Sequence, residues 1–195
     1  MRPTSAVYVS TEADFDKCME KLKQSPCPRC GVVGCLIRHG YLWGKAEKGN
    51  QSVKRGWRVY CSRRGRRRGC GKTRSIRLAG TLSRRMVDAR RLWGLLLGVR
   101  DGLCRYAAWQ KVASPFCVHT GYRLWEAWIR SQSFIRSTLC RVAAPPLVKS
   151  GDSFADLLGH LRAVFPGSDC PVADFQVRFQ TAFLVSVKVP GHLSG

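Results

Sequence analysis

The chain has 195 residues, 45% of them hydrophobic, and carries 34 Lys and Arg against 12 Asp and Glu, a formal net charge of +22. That length holds one ordinary domain or two small ones, and an excess of one sign this large is self-repulsive unless a polyanion supplies the counter-charge, so a nucleic acid is the expected partner. The twelve carboxylates are scattered, mostly at helix caps or in neutral ends, which excludes the convergent acidic cluster of a two-metal nuclease or transposase; with no Walker loop, GxSxG or HExxH present, we expect no enzyme.

The charge is not evenly spread. Residues 1–26 and 142–195 each hold four basic and four acidic side chains, so both ends are neutral and the whole excess is central. Between Lys54 and Arg77, 11 of 24 residues are basic and none is acidic. Met1 to Phe15 contains no apolar segment of the secretory kind, and Leu92 to Val99, the longest apolar run, is too short to span a bilayer. A cytoplasmic protein with no membrane partner is therefore expected, and in a reducing compartment its ten cysteines favour free thiols or metal ligation over disulfides.

In chain order, residues 1–26 form an N-terminal arm and helix. Residues 1–10 are expected to be loose. From Thr11, which pairs with Asp14 as a capping residue, Phe15, Met19 and Leu22 recur at helical spacing until Pro26. That stripe should pack on the next module.

Residues 27–81 open with Cys27-Pro28-Arg29-Cys30-Gly31, in which two intervening residues and a following Gly let both thiolates turn onto one ion. A second, wider pair, Cys61 and Cys70, encloses eight residues that are nearly all Arg or Gly, and Gly65 and Gly69 allow this insert to bulge while its ends stay together. A redox dithiol would need a thioredoxin-like strand, turn and helix around it, and the residues that follow Cys30 are Gly and strand-like. We expect structural Zn2+ on Cys27, Cys30, Cys61 and Cys70, with Cys35 and His39 as substitutes for one ligand. Short strands are expected at 35–38 and 41–43 around a His39-Gly40 turn, a longer one at 53–61 and a last one at 73–78, with a loop at 45–52. Strands alternating with cysteine knuckles make a zinc ribbon, in which metal replaces the core. Cys18, Cys104, Cys117, Cys140 and Cys170 are expected as small core residues.

From residue 82 to 142 the period becomes helical. Ser83 is the expected cap of a helix carrying Met86, Val87, Leu92, Trp93, Leu96 and Val99 up to Asp101-Gly102. A second helix fits Cys104 to Val112, closely approached through Ala107 or Ala108. Ser114 and Pro115 should then start a third, burying Val118, Tyr122, Trp125 and Ile129 and exposing His119, Thr120, Arg123, Glu126 and Arg130. This is the layout of a helix-turn-helix. A further helix is expected over 132–142. Residues 143–195 form a neutral helical tail, with helices through Phe165 and over 171–180, expected to be a packing or partner surface.

The fold class is thus α+β: a small four-cysteine zinc-ribbon β module, a mainly helical helix-turn-helix domain and a helical C-terminal tail. The segment Cys27-Pro28-Arg29-Cys30-Gly31, the run Leu36-Ile37-Arg38-His39-Gly40-Tyr41-Leu42-Trp43-Gly44, the basic Cys61–Cys70 segment ending Gly71-Lys72-Thr73-Arg74-Ser75, and the helices after it resemble the zinc-ribbon plus helix-turn-helix modules of insertion-sequence transposases and their small accessory proteins. The resemblance covers about residues 27–131. It implies binding to mobile-element DNA with Cys27, Cys30, Cys61 and Cys70 as zinc ligands; the second knuckle is wider than the family's usual CxxC, and no catalytic domain follows, so transposition would need a separate transposase as partner. The expectation is a zinc-dependent, double-stranded DNA-binding protein. Arg63, Arg64, Arg66, Arg67, Arg68, Lys72 and Arg74 would meet phosphates, and His119, Thr120 and Arg123 base edges. The alternatives are an RNA or single-strand binder stacking bases on Trp57 and Tyr60, and a scaffold for an acidic protein.

Overall fold

The computed structural model describes residues 7–47, 51–65, 68–147 and 151–185. Its first element is a strand where a loose arm is expected: β1, Val7–Val9, three strand-favouring residues that pair parallel with a later strand. Helix α1, Glu12–Gln24, follows with a complete capping box, the Thr11 hydroxyl accepting from the Asp14 N–H and the Asp14 carboxylate accepting from the Thr11 N–H. Strands β2 (Leu36–Lys45), β3 (Ser52–Cys61) and β4 (Thr73–Leu78) form an antiparallel meander, and the sheet order is β1-β4-β3-β2. The two short strands expected around His39 are one continuous strand. His39-Gly40 is a bulge within it, where Gly40 takes a positive φ of 123° and the register shifts between Arg38 and Gly40.

One face of this sheet is covered. Phe15 of α1 stacks on Trp57 at 4.1 Å between ring centroids, and Met19, Leu36, Val59, Ile76 and Val9 complete a small core that also takes in Cys27, Cys35 and Cys61. The α1 stripe does pack on the cysteine module as expected.

Five more helices build the second core. They are α2 (Ala89–Arg100), α3 (Arg105–Lys111), α4 (Val118–Leu139), α5 (Ser153–Val164) and α6 (Pro171–Phe179). The first of them begins at Asp88, not Ser83: the Asp88 carboxylate caps the Arg91 N–H at 2.7 Å, whereas Arg84 has φ 59° and Arg55 holds the carbonyls of Arg85 and Met86 in an extended approach. The expected third and fourth helices are one, α4, whose cap residue is Cys117 in place of Ser114. Its buried face is Gly121, Leu124, Ala127, Trp128, Ser131, Ile135 and Thr138, while Tyr122 and Ile129, expected inside, are exposed. Spacing alone does not choose between two apolar stripes on one helix, and Trp128 with Phe183 and Phe154 decides it. Cys104, Cys117 and Cys140 are likewise exposed and not core residues.

The C-terminal helices lie inside this core. Leu157, Leu158, Leu161, Phe165 and Phe175 are buried with Leu92, Leu96 and Trp128. The segment also reaches back to the sheet: the Gln176 amide donates to the carbonyls of Ala79 and Thr81, and the Gln180 side chain both accepts from the Tyr8 N–H and donates to its carbonyl, filling the free edge of β1.

Two glycines set the helix approach. A Cβ on Gly121 would stand 2.7 Å from the Trp109 ring and one on Gly98 2.9 Å from the Ala108 Cβ, which identifies Ala108 as the close-approach residue. Gly121→Ala is therefore expected to destabilise the fold by about 1–3 kcal/mol through overpacking. Gly159→Ala, on the exposed side of α5 with nothing within 4 Å, should stabilise it by about 0.5–1 kcal/mol; chemical denaturation of both variants checks the pair.

Candidate metal centre and basic surfaces

The first knuckle closes through its own backbone. The Gly31 N–H donates to the Cys27 carbonyl at 2.8 Å and the Cys27 N–H to the Val32 carbonyl at 2.9 Å, with Gly31 and Gly34 in the left-handed region. At the end of β3, the Cys61 N–H donates to Lys72, and the Gly71 N–H to Cys61, so Cys70 is returned beside Cys61 despite the insert between them. The loop itself is pinched shut by the Gly69 N–H on the Ser62 carbonyl, 2.9 Å. Gly69 serves by lacking a side chain, since a Cβ would fall 2.3 Å from the Ser62 oxygen and 2.7 Å from the Cys61 sulfur; only Gly65 contributes a positive φ.

The Sγ atoms of Cys27, Cys30, Cys35 and Cys61 all lie within 4.8 Å of one another, a cluster able to hold a metal ion. Cys70 stands at its rim, its Sγ 3.9 Å from that of Cys27 and its N–H donating to the Cys61 sulfur at 3.1 Å. Five thiols thus meet where four are expected. His39 takes no part; its ring lies 5.1 Å from Tyr60. A tetrahedral thiolate site with metal–sulfur bonds of about 2.3 Å separates its sulfurs by roughly 3.8 Å. The Cys30–Cys61 and Cys27–Cys70 pairs, 3.6 and 3.9 Å, meet that spacing. Cys35 stands 3.1 Å from Cys61 and donates its thiol proton to the Val32 carbonyl at 3.0 Å.

The protonation chemistry suits a cation. Burial pushes the Cys27 thiol up, but the N–H groups of Arg29 and Cys30 and the Cys61 and Cys30 thiols outweigh it and bring the group down to about 7. Cys61 moves far in the other direction, through burial and then the Cys35 thiol. Thiolates crowded this closely repel unless a bound cation neutralises them, and a bound cation deprotonates such thiols outright.

Around this centre, Arg63, Arg64, Arg68 and Lys72 are exposed. Arg63 donates to the Cys70 carbonyl at 2.7 Å, which fixes it on the knuckle. Arg66 and Arg67 lie outside the described residues. Arg74 does not join the group. It pairs with Val59 on the face that α1 covers, half-buried, with its Nε buried and unpartnered. Trp57 is fully buried under Phe15 and is no stacking surface for a base.

A second basic surface lies on the helices. Arg91 donates to the carbonyls of Val112 and Ala113, both at 3.0 Å, and the Trp109 indole N–H to the Phe116 carbonyl at 3.1 Å, which locks the turn between α3 and α4. The first turns of α4 then project His119 and Arg123 to solvent with Thr120 half-buried. Periodicity missed the neighbours Arg105, whose guanidinium lies 5.6 Å from the Tyr122 ring centroid, and the exposed Tyr106. The exposed Cys117 thiol at the helix start is shifted down by the Thr120 N–H and hydroxyl.

Among the described residues, no helix is long and apolar enough to cross a membrane. No family model matches the chain, and neither a curated protein nor a solved structure matches it.

The pinched loop makes a specific demand. Gly69→Ala should open the knuckle and weaken divalent-metal affinity in competition with a chromophoric chelator. Gly65→Ala, with open space around it, should cost only about 1–2 kcal/mol of local strain and leave metal affinity unchanged.

Proposed function

We propose that the chain is a zinc-dependent, double-stranded DNA-binding protein whose metal centre presents a loop of arginines to phosphates while α4 meets base edges. The observation that carries this is the cluster of cysteine sulfurs beside which Arg63, Arg64 and Arg68 are exposed. Zinc is the ion chosen because an all-sulfur ligand set is the chemistry of structural zinc. Its tetrahedron is Cys27, Cys30, Cys61 and Cys70, supported by the spacing of the Cys30–Cys61 and Cys27–Cys70 pairs; Cys35 remains a thiol on Val32.

Helices α3 and α4 act as a helix-turn-helix with α2 behind them. The residues offered to the major groove are His119, Thr120 and Arg123, with Arg105 beside them as a phosphate contact. The resemblance to insertion-sequence modules supports mobile-element DNA as the target and a separate transposase as the partner that would carry out strand chemistry, this chain contributing recognition alone. The α1–sheet unit and its cysteines are then a zinc ribbon, and the protein works in the cytoplasm.

Two measurements test this. Cys70→Ser should lose bound zinc by elemental analysis while Cys35→Ser retains it; loss in the Cys35 variant alone would move the tetrahedron to Cys35. For DNA, about five phosphate contacts give a slope of log affinity against log salt of roughly −4 to −5, and Arg123→Ala should flatten sequence preference on duplexes by about 1–3 kcal/mol at the contacted base pair. A salt-independent affinity would end the duplex assignment.

A further inference from the structure

The sheet has a second face, and nothing from the helices covers its upper half. Reading the register across the strands, Ile37 pairs with Tyr60 and Tyr60 with Thr73, Gly40 with Arg58 and Arg58 with Ser75, and Gly56 with Arg77. These residues alternate with Leu36, Trp57, Val59 and Ile76, which point under α1, so they share the opposite face. His39, Arg58 and Thr73 are exposed, and Tyr60, Ser75 and Arg77 half-buried. The lower end of the face is closed, by Arg55 bonded to the carbonyls of Arg85 and Met86 and by the buried Tyr8.

The chemistry of the open part is one-sided. Two rings stand together on it, His39 and Tyr60, with centroids 5.1 Å apart and planes tilted by 33°. Cations flank them: Arg58 beside Tyr60 on the same strand, and Lys72 with the exposed Arg64 and Arg68 at the knuckle where β3 ends and β4 begins. Glu47 is the single carboxylate between residues 27 and 81, and it is engaged elsewhere, with Arg91 and the Asp88 N–H. Among the described residues Arg58, Arg64, Arg68, Lys72 and Arg77 make no ion pair. A flat, polar surface with paired rings, hydroxyls and unneutralised cations, on a backbone held rigid by its neighbours, is chemically matched to bases that can stack and phosphates that can be tracked.

We propose that this open sheet face, with Tyr60 and His39 as stacking platforms and Arg58 and the knuckle cations as phosphate contacts, binds an unpaired DNA strand. This is a separate site from the α4 surface, and its assignment to DNA rests on the duplex reading of α4. Duplex cannot use the rings, because paired bases present only edges to a protein surface. The occupant is an unpaired strand continuous with, or displaced from, the duplex that α4 reads.

The test is fluorescence anisotropy of the zinc-loaded full chain with labelled oligo(dT), oligo(U) and a blunt duplex. Tyr60→Ala should weaken oligo(dT) binding by about ten-fold and leave duplex affinity unchanged. Tyr60→Phe should bind as the native protein does. Arg58→Ala, an exposed change that does not threaten folding, should weaken oligo(dT) and reduce its salt slope by about 0.7. Trp43→Ala removes the most exposed tryptophan, on the α1 side of the hairpin, and should change nothing; a loss there with none at Tyr60 and Arg58 would overturn the site. Oligo(U) bound more tightly than oligo(dT) would overturn the assignment to DNA. Arg123→Ala should affect the duplex arm alone, so failure of the duplex assignment and failure of this one give different patterns.

Discussion

The convergence of Cys27, Cys30, Cys35 and Cys61 is the constraint on which the sheet half of the molecule rests. Its apolar core amounts to little more than Phe15 stacked on Trp57 with Met19, Leu36, Val59 and Ile76 around them, and three of its buried members are the cysteines themselves. A core this small does not overcome the entropy of ordering four strands unaided. Thiolate–metal bonds would supply what apolar area cannot, because their free energy of formation would also be folding free energy. Backbone hydrogen bonds from Gly69 to Ser62 and from Gly71 to Cys61 bring the two ends of the loop after β3 together. Charges that would extend and repel in a free chain are fixed at one end of the sheet, where Arg63 is bonded to Cys70.

The helical half is tied to this sheet by polar contacts more than by shared apolar surface. Glu47, in the segment after β2, takes the Asp88 N–H and Arg91, and Arg91 in turn holds the two carbonyls that shape the α3–α4 turn. One ion pair between two partly buried groups thereby links the hairpin, the start of α2 and the helix proposed for base contact. On the other side, Gln176 and Gln180 reach from α6 and its C-terminal cap to Ala79, Thr81 and Tyr8. Such links are directional, so they fix orientation as well as distance.

Much of this was legible in the chain. The capping pair Thr11 and Asp14, the strand at 73–78 and the closeness of Cys27 to Cys30 are local signals, and local chemistry settles them. What failed was decided at a distance. Val7–Val9 is a strand because β4 offers it an edge and Gln180 closes the other one, partners far away in sequence. The start of α2 moved because Arg55, from a neighbouring strand, claims carbonyls in 85–86. The buried face of α4 turned because Trp128 meets Phe154 and Phe183 from the tail. Within the site, the CxxC spacing pointed to Cys27 and Cys30, whereas the closeness of Cys35 to Cys61 depends on the pairing of Leu36 with Cys61, which no spacing encodes.

The formal charge of +22 acquires a location once the acids are placed. Glu12 bonds Lys54 and approaches Arg38 on the α1 side, Glu47 and Asp88 serve Arg91, Asp101 caps α2 beside Arg100, and Glu126 faces Arg130 along α4. Each of these carboxylates supports a helix end, a helix face or the hairpin link, and none lies on β3, β4 or the loop between them. The knuckle and the open sheet face are therefore left with cations that no carboxylate of their own strands compensates. Repulsion among them is a cost to the folded state that a polyanion laid along the strands would relieve.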